Sequence, residues 1–204
     1  MSRSRIMMAL AGAAAAWCAA PLPVVHAAQA AGGGAAWGKA IEVPGLAALN
    51  AGGTALVVSV SCASAGGCTA GGYYQGGHYH GQAFVVSQRR GRWGSAIRVP
   101  GTVTLNTGGS AGVNAVSCAS AGNCVAGGFY THRVGKKDFG QAFVASQRNG
   151  RWGTAIEVPG TATLHARESA EVYSVSCAPA GTCAAGGYYT EGGRRSQGFV
   201  VSRS

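Results

Sequence analysis

The sequence predicts an all-β protein built from three tandem, four-stranded antiparallel repeats. Three observations carry this. The frame Val-Ser-Cys-Ala-(Ser/Pro)-Ala-Gly-x-Cys occurs at Cys62 to Cys68, at Cys118 to Cys124 and at Cys177 to Cys183, and a fixed-period repeat decides architecture ahead of any single residue. A second frame, Trp-Gly-x-Ala-Ile running into Val-Pro-Gly, starts at Trp37, Trp93 and Trp152. Outside the first 30 residues no stretch has helical periodicity, and 35 glycines weigh against long helices.

In chain order, the first segment reads as a secretory signal. Arg3 and Arg5 open it, an apolar run spans residues 6–20, and Ala28-Gln29-Ala30 supplies a small-x-small cleavage site. The run is shorter than the roughly 20 apolar residues a spanning helix needs, so residues 1–30 are expected to be removed. No transmembrane segment is expected in residues 31–204, and the protein is expected outside the cell. Trp17 before Cys18 is incompatible with a lipoprotein signal, which needs a small residue there.

Each repeat unit then follows one plan, giving units 37–92, 93–151 and 152–204 of a single domain, 31–204. The opening Trp strand (37–43, and again 93–99) ends at Pro-Gly, a strong turn signal. Residues 57–62 alternate, with Val58, Val60 and Cys62 on one face and Ser59 and Ser61 on the other, the two-residue period of a half-buried strand. A second strand runs over 68–74 and a third over 82–88. Arg-Gly-Arg before Trp93 and Asn149-Gly150 before Trp152 read as hairpin turns. The Gly pairs 71–72, 127–128 and 186–187 lack the Lys-Ser/Thr of a phosphate loop and are expected at close strand packing or a bulge.

Without Cys18, six cysteines remain, all in the repeated frames. An even set in an exported chain marks disulfides. Six cysteines allow 15 pairings, but the repeat selects Cys62–Cys68, Cys118–Cys124 and Cys177–Cys183. Two ligands per unit with no His in the same frame fit a zinc site poorly.

Spacing locates the variable part. Trp to first Cys is 25 residues in every unit, and the Phe of Gln-x-Phe-Val to the next Trp is nine, whereas Cys to Phe is 22, 25 and 22. All length variation therefore falls in the segments 73–82, 129–141 and 188–197, and such loops often carry binding. Their candidate ligand-binding side chains are Tyr74, His78, Tyr79 and His80 in the first unit. The second offers Tyr130, His132, Arg133, Lys136 and Lys137, and the third Tyr189, Arg194 and Arg195. Aromatic faces stack on sugar rings, and Arg and Lys attract carboxylate or phosphate. Without Arg3 and Arg5, 14 basic side chains face six acidic ones, a net charge of +8, which favours anionic partners. An anionic polysaccharide or cell-wall polymer is the expected one; no nucleic-acid motif is present.

Catalysis is not expected. Glycosidases need two carboxyl groups across the scissile bond, yet Asp138 is the only Asp and sits beside Lys136 and Lys137. Glu42 and Glu157 occupy equivalent positions, aligned with Arg98, and read as solvent-facing strand charges. No nucleophile elbow is present. His78-x-His80 offers two metal ligands and no third, so neither metal nor cofactor is expected.

The run Gln-Ala-Phe-Val-x-Ser-Gln-Arg-x-Gly-Arg-Trp-Gly resembles the hairpin of sialidase-type propeller repeats, the Asp-box, and the whole unit resembles Cys-containing tandem repeats of uncharacterised secreted actinobacterial proteins. The resemblance covers nearly all of 37–204. It departs from the Asp-box in spacing and in placing Arg89 or Arg148 where the Asp would stand, so it implies a four-stranded blade and no functional residue. Propellers typically have four to eight blades. Three units therefore form a partial propeller, half of a six-bladed ring made by a homodimer, or, alternatively, a β-trefoil.

Overall fold

The computed structural model describes residues 36–165, 169–191 and 195–203. Two compact units divide the chain, Met1–Lys39 and Ala40–Ser204. The expected leader lies outside the described residues.

Within Ala40–Ser204 the protein is all-β, with one antiparallel sheet per repeat. The first sheet contains β1 (Ala55–Ser64), β2 (Gly67–Gln75), β3 (Gly81–Arg89), β4 (Arg92–Trp93) and β5 (Ile97–Arg98). The second repeats it with β6 (Ala111–Ser120), β7 (Asn123–Val134), β8 (Lys137–Arg148), β9 (Arg151–Trp152) and β10 (Ile156–Glu157), and the third consists of β11 (Ala170–Cys177), β12 (Cys183–Glu191) and β13 (Arg195–Arg203). In each, the first three strands form a meander; β4 and β5 both pair with β3, and β9 and β10 with β8. The Trp strand is thus two short pieces interrupted at Gly-x-Ala. No sheet among the described residues closes into a barrel, and none has the closure a trefoil requires.

All three expected disulfides are present, and the bonded cysteines of the first pair, Cys62 and Cys68, stand directly opposite each other in the ladder. The turn inside each frame needs a left-handed residue, supplied by Gly66, Gly122 and Gly181. At the β3–β4 turn both central residues, Arg90 and Gly91, take positive φ, as do Asn149 and Gly150 between β8 and β9. This is the pattern of a type I′ hairpin turn.

Several features differ from the sequence expectation, among them the strand expected over 37–43, which is absent. Short helices follow each Pro-Gly: α1 (Leu46–Leu49), α2 (Thr102–Leu105) and α3 (Thr161–His165). One turn is too short to produce periodicity. The first strand of every unit also carries a β-bulge, at Val58, Asn114 and Tyr173, where the register skips one residue. The bulge reverses the phase, so Val113 and Val172, rather than the residues after them, are fully buried. Gly72, Gly128 and Gly187 stand beside the bulges, where a Cβ would overlap the carbonyl oxygens of Leu56, Gly112 and Glu171.

The sheets stack face to face, and the preceding glycine of each pair makes this possible. A Cβ on Gly71 would lie 2.7 Å from Val113 Cγ1, and one on Gly127 2.5 Å from Val172 Cγ1. The valine of one unit therefore sits in a cradle left by the glycine of the unit before. Serines stitch the same junctions: the backbone N–H of Cys118 donates to Ser61 Oγ (3.1 Å), and that of Cys177 to Ser117 Oγ (3.0 Å). Val85, Val99, Val113, Tyr130 and Phe143 form the apolar core between units one and two, and Val158, Val172 and Phe199 lie in the next.

Candidate functional site

The expected binding segments gather at one end of the stacked sheets, but few of them are loops. The three extra residues of the second unit lengthen a hairpin, so Tyr130, His132 and Arg133 lie on β7 and Lys137 on β8. Strand geometry then turns alternate side chains inward. Tyr74 and Tyr130 are 3% exposed and belong to the apolar cores, which corrects their assignment to a ligand surface. Burial raises both phenol pKa values, and Tyr130 also donates to Glu157 Oε2 at 3.3 Å. Glu157 is accordingly half-buried and bonded, rather than a free strand charge. Tyr189 is partly buried against the third unit's core.

The remaining candidates divide between free and engaged groups. His78 and His80 are exposed, with ring centroids 6.5 Å apart on the connection between β2 and β3. Tyr79 lies in the same turn, and its side chain is outside the described residues, as is Arg194. His132 Nδ1 lies 3.2 Å from Thr107 Oγ1. Arg133 grips Asp138 through both carboxylate oxygens, at 2.7 and 2.8 Å, and donates to the Gly108 carbonyl at 3.3 Å. The guanidinium holds the Asp138 carboxyl below the usual carboxylate range. Lys136 and Lys137 are exposed at the hairpin tip. Arg195 stands opposite Glu191 in the ladder. Asp138 and Glu191 thus offset part of the positive charge at this end.

The opposite end is built differently. Here the turn inside each cysteine frame meets the tight hairpin turn of the same unit: Gly91 donates to the Gly66 carbonyl (3.0 Å) and Gly150 to that of Gly122 (2.7 Å). Arg89, Arg90 and Arg92 of the first unit and Arg148 and Arg151 of the second are all exposed there. The Arg89 guanidinium crosses to the second unit and lies against Gly150, where any Cβ would overlap it.

Two grooves open at this end. One, of about 430 Å³, is lined by Arg89, Arg92, Trp93, Gln147 and Trp152 among others; the second, of about 480 Å³, by Gln88, Arg89, Arg90 and Asn149 with the turn glycines. Neither lining contains an Asp or Glu. Gln147 donates to Ser87 Oγ at 2.9 Å, but its Oε1 and the Trp152 Nε1 are buried without hydrogen-bond partners among the described residues. A buried donor or acceptor left unbonded costs about 1–3 kcal/mol. The first groove thus brings together cations and two part-exposed indole rings, with the unbonded amide oxygen and indole N–H buried beneath its surface. The sequence signal was present as the repeated Gln-Arg-x-Gly-Arg-Trp, which reads equally as a turn.

Among the described residues no three His, Cys, Asp or Glu side chains are grouped to hold a metal ion, and no helix is long and apolar enough to cross a membrane. Fold and site define a disulfide-stabilised, all-β tandem-repeat protein. No protein-family model matches the chain, and no curated protein is significantly similar to it.

Proposed function

We propose that this is a secreted, non-catalytic repeat protein that binds an anionic glycan or another acidic cell-envelope polymer. The observation that carries the reading is the acid-free groove holding Arg89, Arg92, Trp93 and Trp152. Guanidinium groups recognise carboxylate and phosphate through paired N–H donors, and indole faces stack on sugar rings. Three disulfides and the leader-like first 30 residues support export. Arg133, committed to Asp138, favours the turn end over the hairpin end as the binding surface.

The test is binding of the purified protein to a polyuronate and to a neutral dextran, at about 0.02 and 0.5 M salt. Exposed charges are screened at the higher salt, where the Debye length falls below about 5 Å. We expect saturable binding to the polyuronate only, weakened but retained in salt. Replacing Arg89, Arg92 and Arg151 together by Ala should abolish it, and replacing Arg133, Lys136 and Lys137 should leave it nearly intact. The reverse pattern would return the site to the hairpin end. Loss of all binding in salt would reduce the interaction to net charge and leave a structural or adhesive role.

A further inference from the structure

The two outer faces of the three-sheet stack match each other as the inner faces do. In the first unit Val57 and Val60 are 42% and 56% exposed, whereas their repeat equivalents Val113 and Val116 are buried against the preceding unit. In the third, Gly186 occupies the position of Gly71 and Gly127, but its cradle is open: a Cβ there would meet only Phe199 O at 3.5 Å and Val200 Cγ1 at 3.8 Å, both in its own sheet. Val200 is 86% exposed, although its equivalent Val85 is fully buried. One face thus presents a knob without a socket, and the other a socket without a knob.

The strand edges repeat this complementarity. Val85 pairs with Ile97, and Val144 with Ile156. Backbone bonds extend each pairing, from Val99 N to Ala83 O (3.0 Å) and from Val158 N to Ala142 O (2.9 Å). The same position of β13 has no such strand among the described residues. Ile41, the repeat equivalent of Ile97 and Ile156, lies in a segment without strand structure and is 65% exposed; Trp37 is 100% exposed. Ala40 is exposed where Ala96 and Ala155 are buried. This corrects the expectation of a strand over 37–43, and the reason is physical: a strand needs a neighbour, and this one's neighbour would be a third strand from a preceding unit.

We infer that the missing neighbour is a second copy of this chain. Residues 37–43 of each copy add to β13 of the other, and Val57 of each enters the other's Gly186 cradle, closing one ring of six units. A contact between different faces closes into a ring or runs on as a filament, according to its rotation. Six units lie within the usual range of propellers, and three fall below it. Within one copy the two do not pair, since Ile41 is 65% exposed and Val200 86% exposed.

The experiment compares the purified protein with two variants, by sedimentation equilibrium across concentration and by non-reducing electrophoresis. The unmodified protein is expected at twice the chain mass. Gly186→Leu fills the open cradle with only ordinary van der Waals contact to Phe199 and Val200 of its own sheet, and should give single-chain mass with unchanged far-ultraviolet circular dichroism. Oxidised Ile41→Cys/Val200→Cys should give a covalent dimer that reduction returns to the chain mass. Three results would each overturn the closed ring of two: single-chain mass for the unmodified protein, a bond between the two introduced thiols of one chain, or an open ladder of higher multiples.

Discussion

The same substitution should act oppositely at equivalent glycines. Gly127→Leu must displace Val172, whose methyl already lies 2.5 Å from the position of an added Cβ. Overpacking of this kind costs about 1–3 kcal/mol, and we expect a clearly lower melting temperature by circular dichroism. Gly186→Leu, measured under conditions where the chains are dissociated, should leave the melting temperature nearly unchanged. Glu171 carries a second prediction. It is half-buried at the junction of the second and third units, near Asn114 Nδ2 and Tyr188 OH, both at 3.5 Å. Desolvation raises its pKa above the usual carboxylate value, outweighing those weak bonds. The folded state therefore holds its proton at a pH where the unfolded chain has lost it. Stability falls as pH rises from the ordinary Glu value through the folded one and is level above that. Glu171→Gln should remove the fall, so the variant's advantage in melting temperature should widen between about pH 4 and 7. An equal advantage at both pH values would place the effect in packing instead. Tyr173, exposed at the bulge, stacks on Tyr188 at 5.5 Å.

Each hairpin pinned by a disulfide is a separate element, and its contribution can be measured separately. Closing so short a loop restricts the unfolded chain by roughly 2–2.5 kcal/mol. Replacing Cys118 and Cys124 together by Ser should lower the unfolding free energy by about that amount in urea. A loss near zero would mean that β6 and β7 hold their register through pairing alone. At this scale most of the fold was legible in the residues. Alternation marked the strands, Arg-Gly-Arg and Asn-Gly marked the tight turns, and the glycine pairs marked close approach. The bulge was not legible, because one extra residue at Val58 leaves the alternation around it intact and changes only its phase. The course of segment 129–141 was misread for a related reason. Length variation usually signals a loop, but here the additional residues extend the ladder as far as Val134 and Lys137, and Tyr130, like Tyr74 in the shorter first unit, turns into the core. The arginines at the other end recur in the hairpin turns of the first two units, and repetition made them look structural. Only the stacking of sheets places Arg89 across Gly150 and beside the next unit's tryptophan.

For the molecule as a whole, the repeat predicts more than one chain can satisfy by itself. The number of units was plain from the Trp and Cys spacings, and the third sheet has three strands among the described residues. The neighbour of that last sheet is not written in any single residue, since strand pairing is a relation between segments. Two charge regimes coexist on the stack: a hairpin end where Arg133 is paired with Asp138, and a turn end where the arginines have no carboxylate beside them in either groove. The disulfides bear on a different property of the same stack. Each joins cysteines only six positions apart, so none of these three disulfides ties one unit to another. Pulled from its two ends, the chain would extend to almost its entire contour, with each cross-link withholding only about 20 Å of extended backbone. Resistance to mechanical load would therefore reside in the valine cradles and serine bonds between sheets, and sulfur chemistry would set only the last few steps of the extension.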